Sequence, residues 1–412
     1  MAEFPLPLAD MLGHWGSYSV YMLIGIAFGA CLEVAGFGNS MKLAAQFYFR
    51  DMTVFKVMFT AIIVAASLIF LASGLGLLDY NLIWVPPTYL WPGIVGGLIM
   101  GAGFIVGGFC PGTSLVAMAT GKVDGIFFVF GVLFGIFMFG ETVSNFAVFF
   151  ESSYMGRFTL PELFGASYGL VVLIVVVAAL LMFWGAEKVE AAVNGEAQRQ
   201  TPRRLLPAAG ALTATATAAV VLLVGQPQNE DRWAVIAEEK QAQLDRREVQ
   251  IEPAELLNLI HDSRIKVVAI DVRDESSFNR FHIQSAQHLP MDKLLSAAKA
   301  MQFEPANTVF VIMSNGEILA TEAWKKLKAE SVQNLYILEG GVNNWLGTYA
   351  SDSFRQSRRI LHPQDEQLAY SFLAATGSRH PAAEPNPYWV EIPFTPKVKL
   401  ELKRAPTSGG CG

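Results

Sequence analysis

Cysteine is scarce in this chain, three in 412 residues, and histidine is little commoner at six. Cys31, Cys110 and Cys411 stand far apart, with no CxxC pair and no Cys/His cluster. That spacing argues against a disulfide framework and against a structural zinc site, and no cofactor is expected. Surplus positive charge is also missing: the net charge of −6 speaks against nucleic acid as a partner. The most uneven shortage is of charge itself. Residues 1–225 hold 21 of the 66 charged side chains, and 226–412 hold the other 45 in a shorter length. With 52% hydrophobic residues and a mean hydropathy of +0.37, the chain reads as two parts with different solvents, one lipid and one water. No basic region precedes the first apolar run, so a cleaved signal peptide is not expected.

The first apolar run, Tyr18 to Phe37, holds Gly25-Ile-Ala-Phe-Gly29, a small-xxx-small packing face, and then Cys31 and Glu33. Ser40–Asp51 is short and amphipathic and suits the membrane interface. Further spans are expected at about Thr53–Leu78, Gly93–Phe109, Ile126–Phe150, Tyr168–Trp184 and, less hydrophobic, Leu205–Val224. Asp79–Pro92, with Trp84, Tyr89 and Trp91, fits an aromatic belt. Basic residues set the orientation. Lys42, Arg50 and Lys56 flank one connection, Lys188, Arg199, Arg203 and Arg204 another, and Lys122 falls on the same side. With these in the cytoplasm, six crossings place Met1 and everything after Gln226 on the other, periplasmic side of a cell inner membrane. A re-entrant segment miscounted as a span would invert that tail.

No charge interrupts Trp91 to Ala119, and within that stretch Gly107–Thr113 reads GGFCPGT. Its glycines allow close helix approach, while Pro111 and Gly112 break the helix and free backbone groups at membrane depth. Such backbone survives only when buried in protein or lining a cavity. Cys110 therefore stands where a pore or binding site is expected, and Ser114–Thr120 is expected as a short re-entrant helix.

From Ile251 the pattern changes to alternating strands and helices, with strands at Val267–Ile270, Val309–Ile312 and Asn334–Leu338 and a helix at Thr321–Ala329. That order requires a parallel sheet. Glu230–Arg247 reads as a charged linker helix, and a polar extension follows Tyr349. The expected organisation is a membrane domain at 1–225, a linker at 226–248, a soluble α/β domain at 249–350 and an extension at 351–412. The fold class is thus a polytopic α-helical membrane domain with a re-entrant segment plus a soluble α/β domain.

GACLEVAGFG around Cys31 and GGFCPGT around Cys110 make residues 18–150 resemble the YeeE/YedE sulfur-transport family. The resemblance implies an hourglass pore for thiosulfate-like compounds, in which Cys31 and Cys110 relay the anion by S–H···S contacts and Gly108, Pro111 and Gly112 shape the path. Only one copy of the repeat is present, so either two copies of this chain or a half-size partner subunit would complete the pore. Ile270-Asp-Val-Arg273, Phe281-His-Ile-Gln-Ser-Ala286 and Leu338-Glu-Gly-Gly-Val-Asn-Asn-Trp345 make residues 249–349 resemble a rhodanese-like domain. That family holds a persulfide on a loop cysteine cradled by backbone N–H groups. Aligning Gly316 with the loop glycine puts Met313 on the catalytic position with Ser314 beside it, and neither forms a persulfide. The resemblance implies a domain that binds or docks, with Asp271 and Arg273 as its strand-end salt bridge and His282 structural. The tail Gly409-Gly-Cys-Gly412 is similar to the arm of the SoxY sulfur carrier, which makes Cys411 a sulfur-carrier candidate and a soluble carrier protein a candidate partner.

Each residue also has a plainer reading. Buried free cysteines are commonly inert packing residues, and Cys411 fits an idle tail thiol. Glu33 and Glu141 lie near or within apolar spans, where ionisable groups usually face a cavity or partner. Lys122 offers an attractive charge at the inner mouth or simply obeys the positive-inside rule. The function expected is membrane transport of thiosulfate or a related small sulfur anion. The alternatives are a membrane-anchored sulfurtransferase or sulfur carrier using Cys411, a sensor or scaffold, and transport of another small anion.

Overall fold

A computed structural model describes residues 4–6, 8–83, 85–194, 205–305, 307–361, 366–372, 374–387 and 392–400. Cys411, Trp84, Arg199, Arg203 and Arg204 lie outside the described residues. The chain divides between Gln226 and Pro227 into two compact units, the first helical and the second built on a sheet.

The helical unit consists of α1 (Leu8–Val34), α2 (Ser40–Ala45), α3 (Thr53–Gly74), α4 (Leu90–Gly107), α5 (Pro111–Ala119), α6 (Val123–Thr142), α7 (Ala147–Phe150), α8 (Leu160–Phe164), α9 (Tyr168–Asn194) and α10 (Leu205–Val224). Among the described residues, five stretches are long and apolar enough to cross a membrane: Met11–Val34, Thr53–Gly74, Leu90–Ala119, Val123–Phe150 and Tyr168–Asn194. A sixth arises only if Ala209–Val224 and Asn229–Asp245, bent by 76° at a short break, count as one span. Side chains such as Leu98, Ile99, Val106 and Phe127 are exposed, a surface suited to lipid and not to water.

Among the described residues, two small cores hold the unit. In one, Ile63 of α3, Val172, Val176 and Ala179 of α9, and Ala218 of α10 are buried together. There α9 and α10 approach so closely that a Cβ on Gly169 would lie 2.6 Å from Leu222 Cα. In the other, Phe37, Leu43, Val54, Phe109 and Ala117 are buried together, joining the C-terminal end of α1 to the α4–α5 junction. The run expected to continue to Phe150 breaks after Thr142 into a 3₁₀ turn and α7. Thr142 Oγ1 donates back to the carbonyl of Met138 at 2.7 Å, a contact that bends helices.

The second unit carries a five-stranded, all-parallel sheet in the order β1-β5-β4-β2-β3, formed by β1 (Gln250–Ile251), β2 (Lys266–Asp271), β3 (Ala286–His288), β4 (Thr308–Met313) and β5 (Leu335–Leu338). Its helices are α11 (Asn229–Asp245), α12 (Pro253–His261), α13 (Glu275–Arg280), α14 (Leu294–Met301), α15 (Ile318–Ala329), α16 (Gly341–Tyr349) and α17 (Asp352–Arg355). The central β4 is buried along its whole length, as helices on both faces of a parallel sheet require. β1 and β3 are too short to announce themselves in sequence: two and three residues carry no legible alternation.

The charged helix α11 packs on α15 within this unit. Trp233 meets Trp324 edge to face, with centroids 6.4 Å apart, and Arg232 pairs with Glu330 at 2.5 Å. The extension also packs. Ala369, Tyr370, Ala382 and Ala383 are buried in the sheet domain's core, and the backbone N–H groups of Lys397 and Val398 both donate to Glu255 Oε1 at 2.8 Å.

His380 sits among Phe281, Phe354 and Phe372, and its Nδ1 accepts the Ala382 N–H at 3.1 Å. Burial pushes its pKa below the ordinary 6.5. The unfolded chain therefore takes up a proton first as pH falls, so the folded domain loses stability below about pH 6.5. Thermal melting of the detergent-solubilised chain from pH 7.5 to 5.5 should show this slope, and His380→Gln should flatten it.

Candidate functional site

The α4–α5 junction is built around a left-handed glycine. Gly108 has φ 70°, and its N–H donates to the Phe104 carbonyl at 2.9 Å, closing α4. A Cβ there would lie 3.1 Å from Ser40 Cβ and 3.2 Å from Ser40 O, so any side chain would press on the start of α2 as well as strain the left-handed backbone. The next residue, Phe109, is driven into the small core beside Phe37.

Cys110 then takes an extended conformation and caps α5, with Pro111 at the first helical position, where its missing N–H costs nothing. The cap is reciprocal. Thr113 N–H donates to Cys110 Sγ at 3.4 Å, and Cys110 N–H donates to Thr113 Oγ1 at 3.0 Å. The thiol and the hydroxyl lie 3.2 Å apart. The sulfur is half-buried and held at the positive end of a nine-residue helix, a place that favours negative charge. Pro111 is exposed and Gly112 half-buried beside it. Helix α5 lies tightly on α6: a Cβ on Gly125 would meet Ala117 Cβ at 2.5 Å.

Cys31 is placed differently. It lies on the exposed side of α1, one turn before the helix ends, and its carbonyl accepts the Ala35 N–H. Polar groups gather just beyond that end. Glu33 pairs with Lys122 at 3.1 Å, Ser40 Oγ donates to Asp124 Oδ2 at 2.7 Å, and Lys42 Nζ donates to the Ala35 carbonyl at 2.8 Å. Lys122 and Glu33, weighed one at a time in the sequence, thus largely cancel each other's charge. Glu141 stands exposed in the last turn of α6. Thr113, which holds the Cys110 thiol, was not singled out from sequence. The signal that points to it is its place three residues after an N-cap.

In the sheet unit, Asp271 and Arg273 are both fully buried at the end of β2. Arg273 Nε donates to Asp271 Oδ1 at 2.8 Å, Nη2 to the Phe281 carbonyl at 2.7 Å and Nη1 to Asn315 Oδ1 at 2.9 Å. The arginine thereby ties β2 to the loop that follows β4. Met313 at the end of β4 and Ser314 on that loop are fully buried, and Gly316 is half-buried. The Val342 and Asn343 N–H groups donate to the carbonyls of Ser314 and Asn315 at 2.9 and 3.0 Å. Gly341, at φ 60°, is needed there, because a Cβ would sit 2.1 Å from the Gly316 carbonyl oxygen. His282 stacks flat on Phe278, with ring centroids 3.9 Å apart. Among the described residues no group of three or more His, Cys, Asp or Glu is placed to hold a metal.

A family model described as sulphur transport matches residues 34–239, and one described as a rhodanese-like domain matches residues 252–348. Cys110 falls inside the first match, whereas Cys31 stands three residues before its start. No curated protein and no solved structure matches the chain.

Gly108→Ala should lower stability by about 1–2 kcal/mol from the left-handed backbone alone, with more added if Ser40 fails to move. Melting of the purified chain in detergent checks this, and an unchanged midpoint would mean that the junction relaxes freely.

Proposed function

Since the chain belongs to the sulphur transport family and carries a rhodanese-like domain behind its membrane unit, we propose that it moves thiosulfate or a closely related sulfur anion across the bilayer past Cys110. The observation that carries this reading is the Cys110 thiol, fixed by Thr113 at the N-terminus of α5 within the family-matched segment. An S–H group is a soft, weak donor suited to the terminal sulfur of thiosulfate, and the α5 dipole offsets the anion's charge. Gly108, Pro111 and Gly112 open the helix there, and the backbone groups so freed are met by Thr113 and by the neighbouring turns. Cys31 serves as a second, more open station. Several weak contacts in series permit entry and release, where one tight site would trap the anion.

A single GGFCPGT segment builds half of a two-fold path, so a second copy of this chain or a half-size partner completes it. The exposed apolar faces of α4 and α6 leave room for such a neighbour. The rhodanese-like domain binds or docks and performs no sulfur transfer, because position 313 offers a buried thioether and position 314 a hydroxyl. The unit sits in the inner membrane with its soluble half on the periplasmic side, where Cys411 would hand sulfur to or from a carrier.

Removing one hydrogen bond to a charged ligand costs about 1.5–3 kcal/mol, so Cys110→Ala should cut uptake of radiolabelled thiosulfate by about tenfold or more. Cys110→Ser, which keeps an N-cap, should fold normally and lose most transport. Unchanged uptake in Cys110→Ala rejects the relay. Thiocyanate production from thiosulfate and cyanide, abolished by Cys411→Ser, would instead favour a membrane-anchored sulfurtransferase.

A further inference from the structure

The loop between β4 and α15 already holds an anion, and the anion belongs to the chain itself. Glu366, fifty residues beyond Gly316, directs its carboxylate at the N-terminus of α15. Oε2 accepts the Gly316 N–H at 3.0 Å, and Oε1 accepts the Leu319 N–H at 3.0 Å and, at 3.2 Å, the Ser314 hydroxyl, whose proton is shared with the Gly316 carbonyl at 3.1 Å. Asn315 Nδ2 donates to the Glu366 backbone carbonyl at 3.0 Å. Groups other than the carboxylate also hold the loop. Arg273 holds Asn315 from behind, Ser314 Oγ accepts the Ala320 N–H at 3.2 Å, and Val342 and Asn343 pin the carbonyls of 314 and 315. Three donors converging at the start of a twelve-residue helix form a ready site for a small anion.

The segment carrying Glu366 is strapped down by one side chain. Asn343 Nδ2 donates to the Gln367 carbonyl at 2.9 Å, and its Oδ1 accepts the Ala369 N–H at 2.7 Å. Glu366 lies beyond the end of the rhodanese-like match at residue 348, so the plug is supplied by the extension and not by the matched domain.

We propose that Glu366 is a cis-acting latch on this loop. Closed, its carboxylate fills the cradle; withdrawn, the cradle takes a small tetrahedral oxyanion such as sulfate or thiosulfate. The carboxylate meets all three donors with a single negative charge, so a tetrahedral anion carrying two charges competes with it on the same N–H groups. This latch rests on the reading of the soluble domain as a binding module. It is independent of the pore, so uptake that depends on Cys110 can stand whichever way the latch experiment falls.

Hydrogen-exchange mass spectrometry on the full chain in detergent reads the site directly, through peptides covering residues 314–320. In the unaltered chain these amides should be protected without added anion. In Glu366→Ala they should exchange at least tenfold faster, and millimolar sodium sulfate or thiosulfate should restore protection, with sodium chloride at equal ionic strength as the control. Adding Ser314→Ala should weaken that restoration about tenfold. Should Glu366→Ala fail to fold, Asn343→Ala loosens the strap with the carboxylate retained, and protection should then rise with added sulfate. Amides that stay protected in the folded variant without anion, or that sulfate and thiosulfate do not protect, would overturn the latch.

Discussion

The structure depends on satisfying a few backbone groups where no water can do so. Between Gly107 and Pro111 the chain leaves one apolar helix and enters another within a membrane-spanning stretch. An unmet N–H or carbonyl there costs several kcal/mol. Gly108 turns its N–H back to Phe104, Ser114 N–H reaches the Cys110 carbonyl, and Cys110 and Thr113 satisfy each other. The same arrangement that closes the backbone puts a sulfur atom at a helix N-terminus. Helix capping and the placement of the thiol thus meet at one residue.

The soluble unit repeats the device in water-soluble form. Its loop after β4 also ends at a helix N-terminus, where a serine hydroxyl and two backbone N–H groups converge on the Glu366 carboxylate. Around it, Arg273 pays for its burial with Asp271, Phe281 and Asn315, and so fixes the loop to the end of β2. The donors of that loop form a small anion cradle. The extension then supplies the carboxylate that fills it.

Much of the architecture was legible before any coordinates. Long uncharged stretches have one stable outcome in lipid, and β2, β4 and β5 follow from short apolar runs separated by a helical pattern. The short strands β1 and β3 were missed, because two or three residues carry no periodicity. The roles of α11 and the extension were hidden as well. Helix α11 is charged enough to pass for a linker, and what docks it is a tryptophan pair and one arginine. In the extension the buried residues are mostly alanines and single aromatics, too sparse to read as core.

By itself the sequence determined the division into a lipid-facing and a water-facing half, the parallel sheet, and the standing of Cys110 beside a helix break. These follow from local composition, and solvent preference and chain stiffness act locally. Tertiary structure alone decided that Thr113 holds the thiol, that Glu33 neutralises Lys122, and that Glu366 fills the Ser314 loop. The last two join residues 89 and 52 positions apart, and no pattern along the chain records which donor a distant carboxylate will find.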